Sequence, residues 1–458
     1  MHRVERDSLG EVRVPAEAYY GAQTQRALEN FPISGLRLQP CFIRAQGVVK
    51  KAAALANMKL GLLDKRVGEA IARAAQEVID GRFNEEFVVD VYQMGAGTSQ
   101  NMNANEVIAN RAIELLGGEK GDYSIVHPND HVNMAQSTND TIHVALNIAA
   151  LLSVEEELLP VLEGLRRALG EKAGEFKKVV KIGRTHLQDA VPITLGQEFS
   201  GYEAALGKAE DKIRAAVEAL KELNIGGTAV GTGLNAAPGF AELAVREINA
   251  LTKKSFRLAG NYYEMGQNTL AALELSSGLR YLAVVLGKIA SDLRLLSSGP
   301  RAGLGEIILP PVQPGSSIMP GKVNPSMAEM LNMVCHQVVG NDAAIASAAQ
   351  GAQLELNVNM PVIAYNLLNS IEILANGVKA FTEKCVKGIK ANAQRCRELA
   401  ELSTALVTAL SPRIGYDEAA KLAREAYARG KKIKDLVVEK GILSREEAEK
   451  LLDPLKLV

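Results

Sequence analysis

The segment Gly315-Ser316-Ser317-Ile318-Met319-Pro320-Gly321-Lys322-Val323-Asn324-Pro325 gathers two hydroxyls, a fixed positive charge and an amide in one stretch rich in glycine and proline. Glycines allow close backbone approach, and successive free N–H groups form an anion cradle. Such a loop suits a carboxylate or phosphate held beside a nucleophile or base. A Walker-type phosphate loop would need a hydroxyl residue after the lysine, whereas Val323 follows here and no strand precedes. Three further polar clusters stand out: Gly95–Asn103, Asn133–Asp140 and Gly183–Ala190. The first reads as a turn capping a helix that begins near Ala104, and the other two precede long apolar segments. Each alone is compatible with simple capping. Together they point to a small polyanion, because helix N-termini attract negative charge.

Among the six histidines, His186 sits between Thr185 and Gln188-Asp189 and is the best acid–base candidate, since imidazole titrates near neutrality. His2 is terminal and His336 lies mid-helix. His127 and His131 are four apart, but Pro128 interrupts the helix that would align them on a metal. No metal site is expected. His143 stands at a helix start without an assigned role.

These residues must be positioned by helices. Aromatics are 4% and Trp is absent, while Ala, Leu, Glu and Lys abound, a balance that favours helix over sheet. Six of the 16 prolines fall between Pro300 and Pro325, and 193–237, 239–299, 326–360 and 362–411 contain none. Proline is excluded from helix interiors. The spacing therefore predicts long helices over 141–175 (kinked at Pro160), 194–223, 263–298, 327–350 and 362–388, with a functional loop at 299–325. Three regions follow: a mixed helical part at 1–136, a long-helix bundle at 137–388 carrying that loop, and a small helical part at 389–458. Several helices are apolar on more than one stripe, which predicts burial against other copies of the chain.

Lys+Arg at 52 against Asp+Glu at 53 argues against a nucleic-acid or anionic-membrane surface and leaves room for a local basic pocket that takes a small anion. Four dispersed cysteines (Cys41, Cys335, Cys385 and Cys396) lack metal or CxxC spacing and read as reduced thiols. The charged N-terminus and the lack of an unbroken apolar run of 18 residues predict a cytoplasmic protein without a membrane span.

The chain resembles the fumarase/aspartase superfamily of lyases along nearly its whole length. GSSIMPGKVNP at 315–325 carries the resemblance most specifically. GTSQNMNANE at 97–106, HPNDHVN at 127–133, QSTND at 136–140, GRTHLQDA at 183–190, GTAVGTGLN at 227–235 and ELN at 355–357 support it. The resemblance implies an all-α, three-domain subunit, a homotetramer with a twenty-helix core, and active sites built from three subunits. It also implies a reversible anti-elimination giving fumarate through an aci-carboxylate, acting on a small dicarboxylate without cofactor or metal. Lys322 and Asn324 would bind the carboxylate that takes up charge, and Ser316 would be the base. Thr98, Ser99, Ser137, Thr138, Asn139, Thr185 and Ser317 would hold the second carboxylate and the leaving group. His186 with Glu329 would orient that group or handle its proton, and His127, Asn129 and Asp130 form a possible second anion site.

Ala96 and Thr138, where fumarate hydratases usually carry GSGT and QSSND, make ammonia elimination from aspartate the expected reaction. Gly121-Asp122-Tyr123, Ala18-Tyr19-Tyr20-Gly21 and Asn332 point the same way. Fumarate hydratase is the alternative, favoured by Gly21–Arg26, the HPND segment and the short C-terminus. His143-Val144 replaces the family's usual Pro-Thr. Argininosuccinate and adenylosuccinate lyases share the fold but need other surroundings at QSTND and RTHLQDA. A non-catalytic lens-type relative is opposed by the intact Ser316, Lys322, Asn324 and His186.

Overall fold

A computed structural model describes residues 1–458. Helices dominate in the order α1 (Ala22–Asn30), α2 (Pro40–Lys59), α3 (Lys65–Ile79), α4 (Thr98–Leu115), α5 (Thr138–Ser153) and α6 (Leu159–Glu175). They continue as α7 (Leu195–Val217), α8 (Phe240–Thr252), α9 (Tyr262–Gln267), α10 (Leu270–Leu296), α11 (Ser326–Gln350), α12 (Met360–Lys384) and α13 (Ala393–Leu402). Four shorter helices follow between Ser411 and Leu451. The protein is all-α with small ladders. Antiparallel β1 (His2–Asp7) pairs with β2 (Gly10–Pro15), and β3 (Val180–Thr185) with β4 (Gln188–Thr194). Two further ladders join strands of two residues each.

The long helices lie close to where proline spacing puts them, with instructive differences. The 141–175 rod runs through α5, a π turn at Val154–Leu158 and α6. Pro160 lacks an N–H, and the helix takes up the lost bond as a wider turn just before it. The 263–298 rod is interrupted: Asn268 is extended, with φ −106° and ψ 151°, so α9 ends there and α10 begins at Leu270. The 183–190 segment is not a helix cap. It is the tip of the β3–β4 hairpin, where buried Val180 and Ile182 face buried Thr194 and Pro192 across the ladder while Val191 is exposed, as suits a half-buried ribbon.

Contacts group the chain into two units. One comprises Met1–Leu159, Asp211–Tyr281 and His336–Leu374. Here α2 packs against α3, α5 and α8, and α3 against α4. Ile71, Ala74, Ala75, Val107, Ile108 and Ala112 sit in its core. Small alanines let these helices approach closely. Every residue of α5 except Asn139 is buried within this single chain, so its several apolar stripes need no second copy to cover them. The other unit comprises Pro160–Glu210, Leu282–Cys335 and Ala375–Val458. Its β3–β4 hairpin packs on α13 and on the C-terminal turns, next to a core of Leu410, Ile433, Leu436 and Val437.

α10 is long and apolar enough to cross a bilayer by length and composition. Leu275, Leu279, Leu282, Leu286, Ile289 and Leu293 on it are nonetheless buried by the protein itself. A core helix passes the same test, because burial and lipid select the same side chains.

Candidate active site

Eight non-glycine residues have positive φ. Lys253 ends a helix, and the other seven lie in or beside the polar motifs: Ala96, Ala135, His186, Leu187, Thr228, Asn235 and Leu354. Left-handed backbone costs a non-glycine residue roughly 1–3 kcal/mol and persists only where the surroundings enforce it. The strain therefore falls on the polar motifs.

In the first unit, the 95–97 turn delivers the chain into α4 through Ala96 at φ 59° and Gly97 at φ 86°. The Ala96 N–H donates to the carbonyl of Val358 at 2.7 Å, which ties the turn to the segment after Glu355-Leu356-Asn357. Helix α4 starts at Thr98, six residues before the expected Ala104, so Thr98 and Ser99 belong to its first turn. Ser137 caps α5 in a reciprocal box: its hydroxyl accepts from the helix's first turn, and Asp140 accepts from the Ser137 N–H at 3.0 Å. Capping boxes fix the entry angle of the chain, here that of Ser137, Thr138 and Asn139. Thr138 accepts from Asn101 Nδ2 at 3.2 Å, and Asn139 Nδ2 donates to the carbonyl of Ala229 at 2.8 Å. Thr98, Ser99, Ser137, Thr138 and Asn139 thus share one unit and one connected set of supports.

Beneath them lies a group that sequence reading did not single out. Lys50 of α2 is 1% exposed, and its ammonium donates to Asn133 Oδ1 at 3.0 Å and Gln136 Oε1 at 2.9 Å. Asp140, fully buried, accepts from Gly226 N–H at 3.1 Å and Thr228 N–H at 3.0 Å as well as from Ser137. Burial pushes the Lys50 ammonium down to about 7, and the charge of Asp140 works against that fall. Burial likewise pushes the Asp140 carboxyl up to about 7, opposed by its amide donors and by Lys50. The sequence signal was a lysine inside Val48-Val49-Lys50-Lys51-Ala52-Ala53-Ala54, a charge on an otherwise apolar stripe.

His127 caps the short π turn at Pro128–Val132. Its Nδ1 accepts from the N–H groups of Asn129 and Asp130, both at 3.2 Å, and His131 Nδ1 accepts from the His127 N–H at 2.8 Å. The Asn129 and Asp130 side chains are exposed. No cluster of His, Cys, Asp and Glu is arranged to hold a metal ion.

In the second unit, the 315–325 loop folds on itself. The Gly315 N–H donates to the carbonyl of Lys322 at 2.8 Å, and Asn324 Nδ2 donates to the carbonyl of Gly315 at 2.7 Å. A Cβ on Gly315 would lie 2.7 Å from that Lys322 oxygen, so the close approach requires glycine. The Ser316 hydroxyl accepts from the N–H groups of Ile318 at 3.2 Å and Met319 at 3.0 Å. Hydrogen bonds to the charged form favour that form, so these amides are the donors a serine oxyanion needs. Ser316 and Lys322 line one cleft of about 430 Å³. Ser317 and Lys322 are exposed, Asn324 is half-buried, and Glu329 occupies the first turn of α11.

Thr185 and His186 lie exposed at the hairpin tip, where His186 at φ 56° and Leu187 at φ 62° form the tight turn. Arg184 and Lys181 anchor that hairpin on the fully buried Glu306, at 3.0 and 3.3 Å, and Lys181 also meets Glu198 at 3.0 Å. Glu306 lies at the base of the long loop, so one carboxylate fixes both the hairpin carrying His186 and the stem of the loop carrying Ser316. Its signal in the sequence was weak, a single glutamate within Gly305-Glu306-Ile307.

The lyase family matches residues 10–340, and the fumarase C C-terminal family matches 406–458. An aspartate ammonia-lyase from a Bacillus species is 51% identical over 99% of this chain and 97% of its own length. A class II fumarate hydratase from Halobacterium salinarum is 55% identical over 99% and 96%. Among solved structures, a fumarate lyase from Brucella melitensis superposes with TM-score 0.95 at 50% identity, covering 100% of this chain and 99% of that one. A class II fumarase from Schistosoma mansoni gives 0.96 at 40% identity with the same coverage. With its motifs in order, its strained segments on those motifs and its full length matched, the chain belongs to the fumarase/aspartase superfamily of lyases.

Proposed function

We propose that the protein eliminates ammonia from L-aspartate to give fumarate. Ser316 takes the Cβ proton, Lys322 and Asn324 hold the adjacent carboxylate as charge moves onto its oxygens, and the C–N bond then breaks with its electrons leaving on nitrogen. Preorganised donors aimed at developing charge are usually the largest catalytic contribution. Thr98, Ser99, Ser137, Thr138, Asn139, Thr185 and Ser317 hold the second carboxylate and the leaving group, and His186 with Glu329 serves that group's proton.

The observation that carries the choice of ammonia is Ala96. Its methyl is buried at 3% exposure in the turn that begins α4, where a serine would add a hydroxyl. An amine brings its own donors, whereas departing water would be one hydrogen bond short, a loss of about 0.5–1.5 kcal/mol. The second reading, class II fumarate hydratase, is favoured by the halobacterial relative's 55% identity. Fumarate absorbance with each substrate decides between them. We expect brisk release from L-aspartate and slow release from L-malate, and Ala96→Ser should move the ratio toward malate by at most about tenfold. Rapid malate dehydration without ammonia release from aspartate would replace this reading by the hydratase.

We also propose a homotetramer whose sites draw on three chains. Tyr281 and Val284 on α10, with Met333 and Val339 on α11, remain 41–65% exposed in the single chain. Large apolar side chains left exposed on long helices suit an interaction face. Light scattering should give four times the chain mass of 49.0 kDa. An active monomer would refute both the assembly and the shared sites.

A further inference from the structure

One cavity has a polar lining that the proposed reaction does not use. About 240 Å³ of space lies against α5, the 219–222 turn and the start of α10. His143 lines it at 3% exposure, and neither ring nitrogen finds a hydrogen-bond partner. Burial pushes the imidazole down to about 4; the Asn139 carbonyl one turn back works against that fall without reaching hydrogen-bond geometry, so the ring is neutral, with one donor and one acceptor. Thr269 lines the same cavity at 7% exposure, and its hydroxyl is also unpartnered.

Thr269 precedes α10, and its carbonyl accepts from the Leu273 N–H at 3.0 Å, which makes it the N-cap. A capping threonine ordinarily accepts from first-turn amides, and this one does not. The 27-residue α10 therefore brings its positive end to the cavity without a side-chain cap. Buried polar groups are ordinarily paired, and three unpaired polar atoms on one cavity call for a partner. Leu146, Met265 and Met360 give it apolar walls, beside Asn268 and Asn147, whose Nδ2 donates to the carbonyl of Glu222 at 3.0 Å. No lysine or arginine lines it, and Glu264 at its edge is exposed. Glu222 is engaged with Arg257 at 3.2 Å.

We propose that this cavity binds a small apolar α-amino acid. Its carboxylate sits on the first-turn amides of α10 and the Thr269 hydroxyl, with His143 as a further partner. The ammonium turns toward Glu264, and the side chain packs on Leu146, Met265 and Met360. The lack of a cation in the lining selects against a second carboxylate. The site is thus separate from the dicarboxylate site and stands whichever leaving group departs there.

Titration calorimetry on the whole purified protein tests the assignment with L-methionine and L-leucine as probes, and 4-methylpentanoate and L-aspartate as comparators. Saturable binding of L-methionine or L-leucine, at least about tenfold tighter than either comparator, is expected. Thr269→Val, which keeps shape and removes the hydroxyl, should weaken it by roughly tenfold. Ala271→Leu, which fills the cavity, should abolish it, and neither change should alter fumarate formation. Circular dichroism checks folding, and if Ala271→Leu unfolds, Thr269→Val decides alone. No saturable binding at millimolar concentrations, equal binding of 4-methylpentanoate, or unchanged binding by folded Thr269→Val would each overturn the proposal.

Discussion

Ser316→Ala is expected to lower kcat for fumarate formation by about 10²–10⁴-fold, the range that a positioned general base contributes. The thermal midpoint should hardly move, because the side chain sits on a loop whose neighbours Ser317, Ile318 and Met319 are exposed. A serine hydroxyl is a poor base at its ordinary pKa. In this loop its oxygen accepts from two backbone amides, and Lys322 lines the same cleft. Both features favour the oxyanion, and both are fixed before substrate arrives. Turnover and melting curves on one preparation check the claim. Near wild-type kcat in a folded Ser316→Ala protein would remove Ser316 from the role of base.

The loop, the helices and the polar clusters were legible in the sequence because each is written locally. Proline positions bounded α11 and α12 to within a few residues, whereas α7 stops at Val217 rather than at 223 and the 263–298 rod breaks at Asn268-Thr269. The hairpin at 180–194 was missed because Thr185-His186-Leu187-Gln188 has no glycine or asparagine to announce a tight turn. That conformation is imposed from a distance, by Glu306 holding Arg184 and Lys181 across more than 100 residues of chain. Lys50 was missed for a similar reason: its partners Asn133 and Gln136 become neighbours only when α2 packs beneath the 133–140 segment. Local pattern identifies the candidate site residues, and tertiary contacts identify those that hold them still.

Asp140 is where such support should have its largest effect on stability. It caps α5, receives the amides of Gly226 and Thr228, and faces the buried Lys50. Removing the Asp140 carboxylate leaves three buried N–H donors without their acceptor, at about 1–3 kcal/mol each, and takes away the charge that opposes the desolvation of Lys50. Asp140→Ala is therefore expected to lower the thermal midpoint by about 5–10 °C. Activity should fall even while the fold persists, since Ser137, Thr138 and Asn139 lose the box that orients them. Part of the stability loss belongs to Lys50, whose buried ammonium loses the opposite charge that favours it. Lys50→Met should accordingly blunt it, and the double variant should be more stable than the summed single effects by more than about 1 kcal/mol. Chemical denaturation of the four proteins supplies the comparison. Strict additivity would mean that Lys50 and Asp140 act independently, and the segment carrying Ser137–Asn139 would then be held by its amide bonds alone.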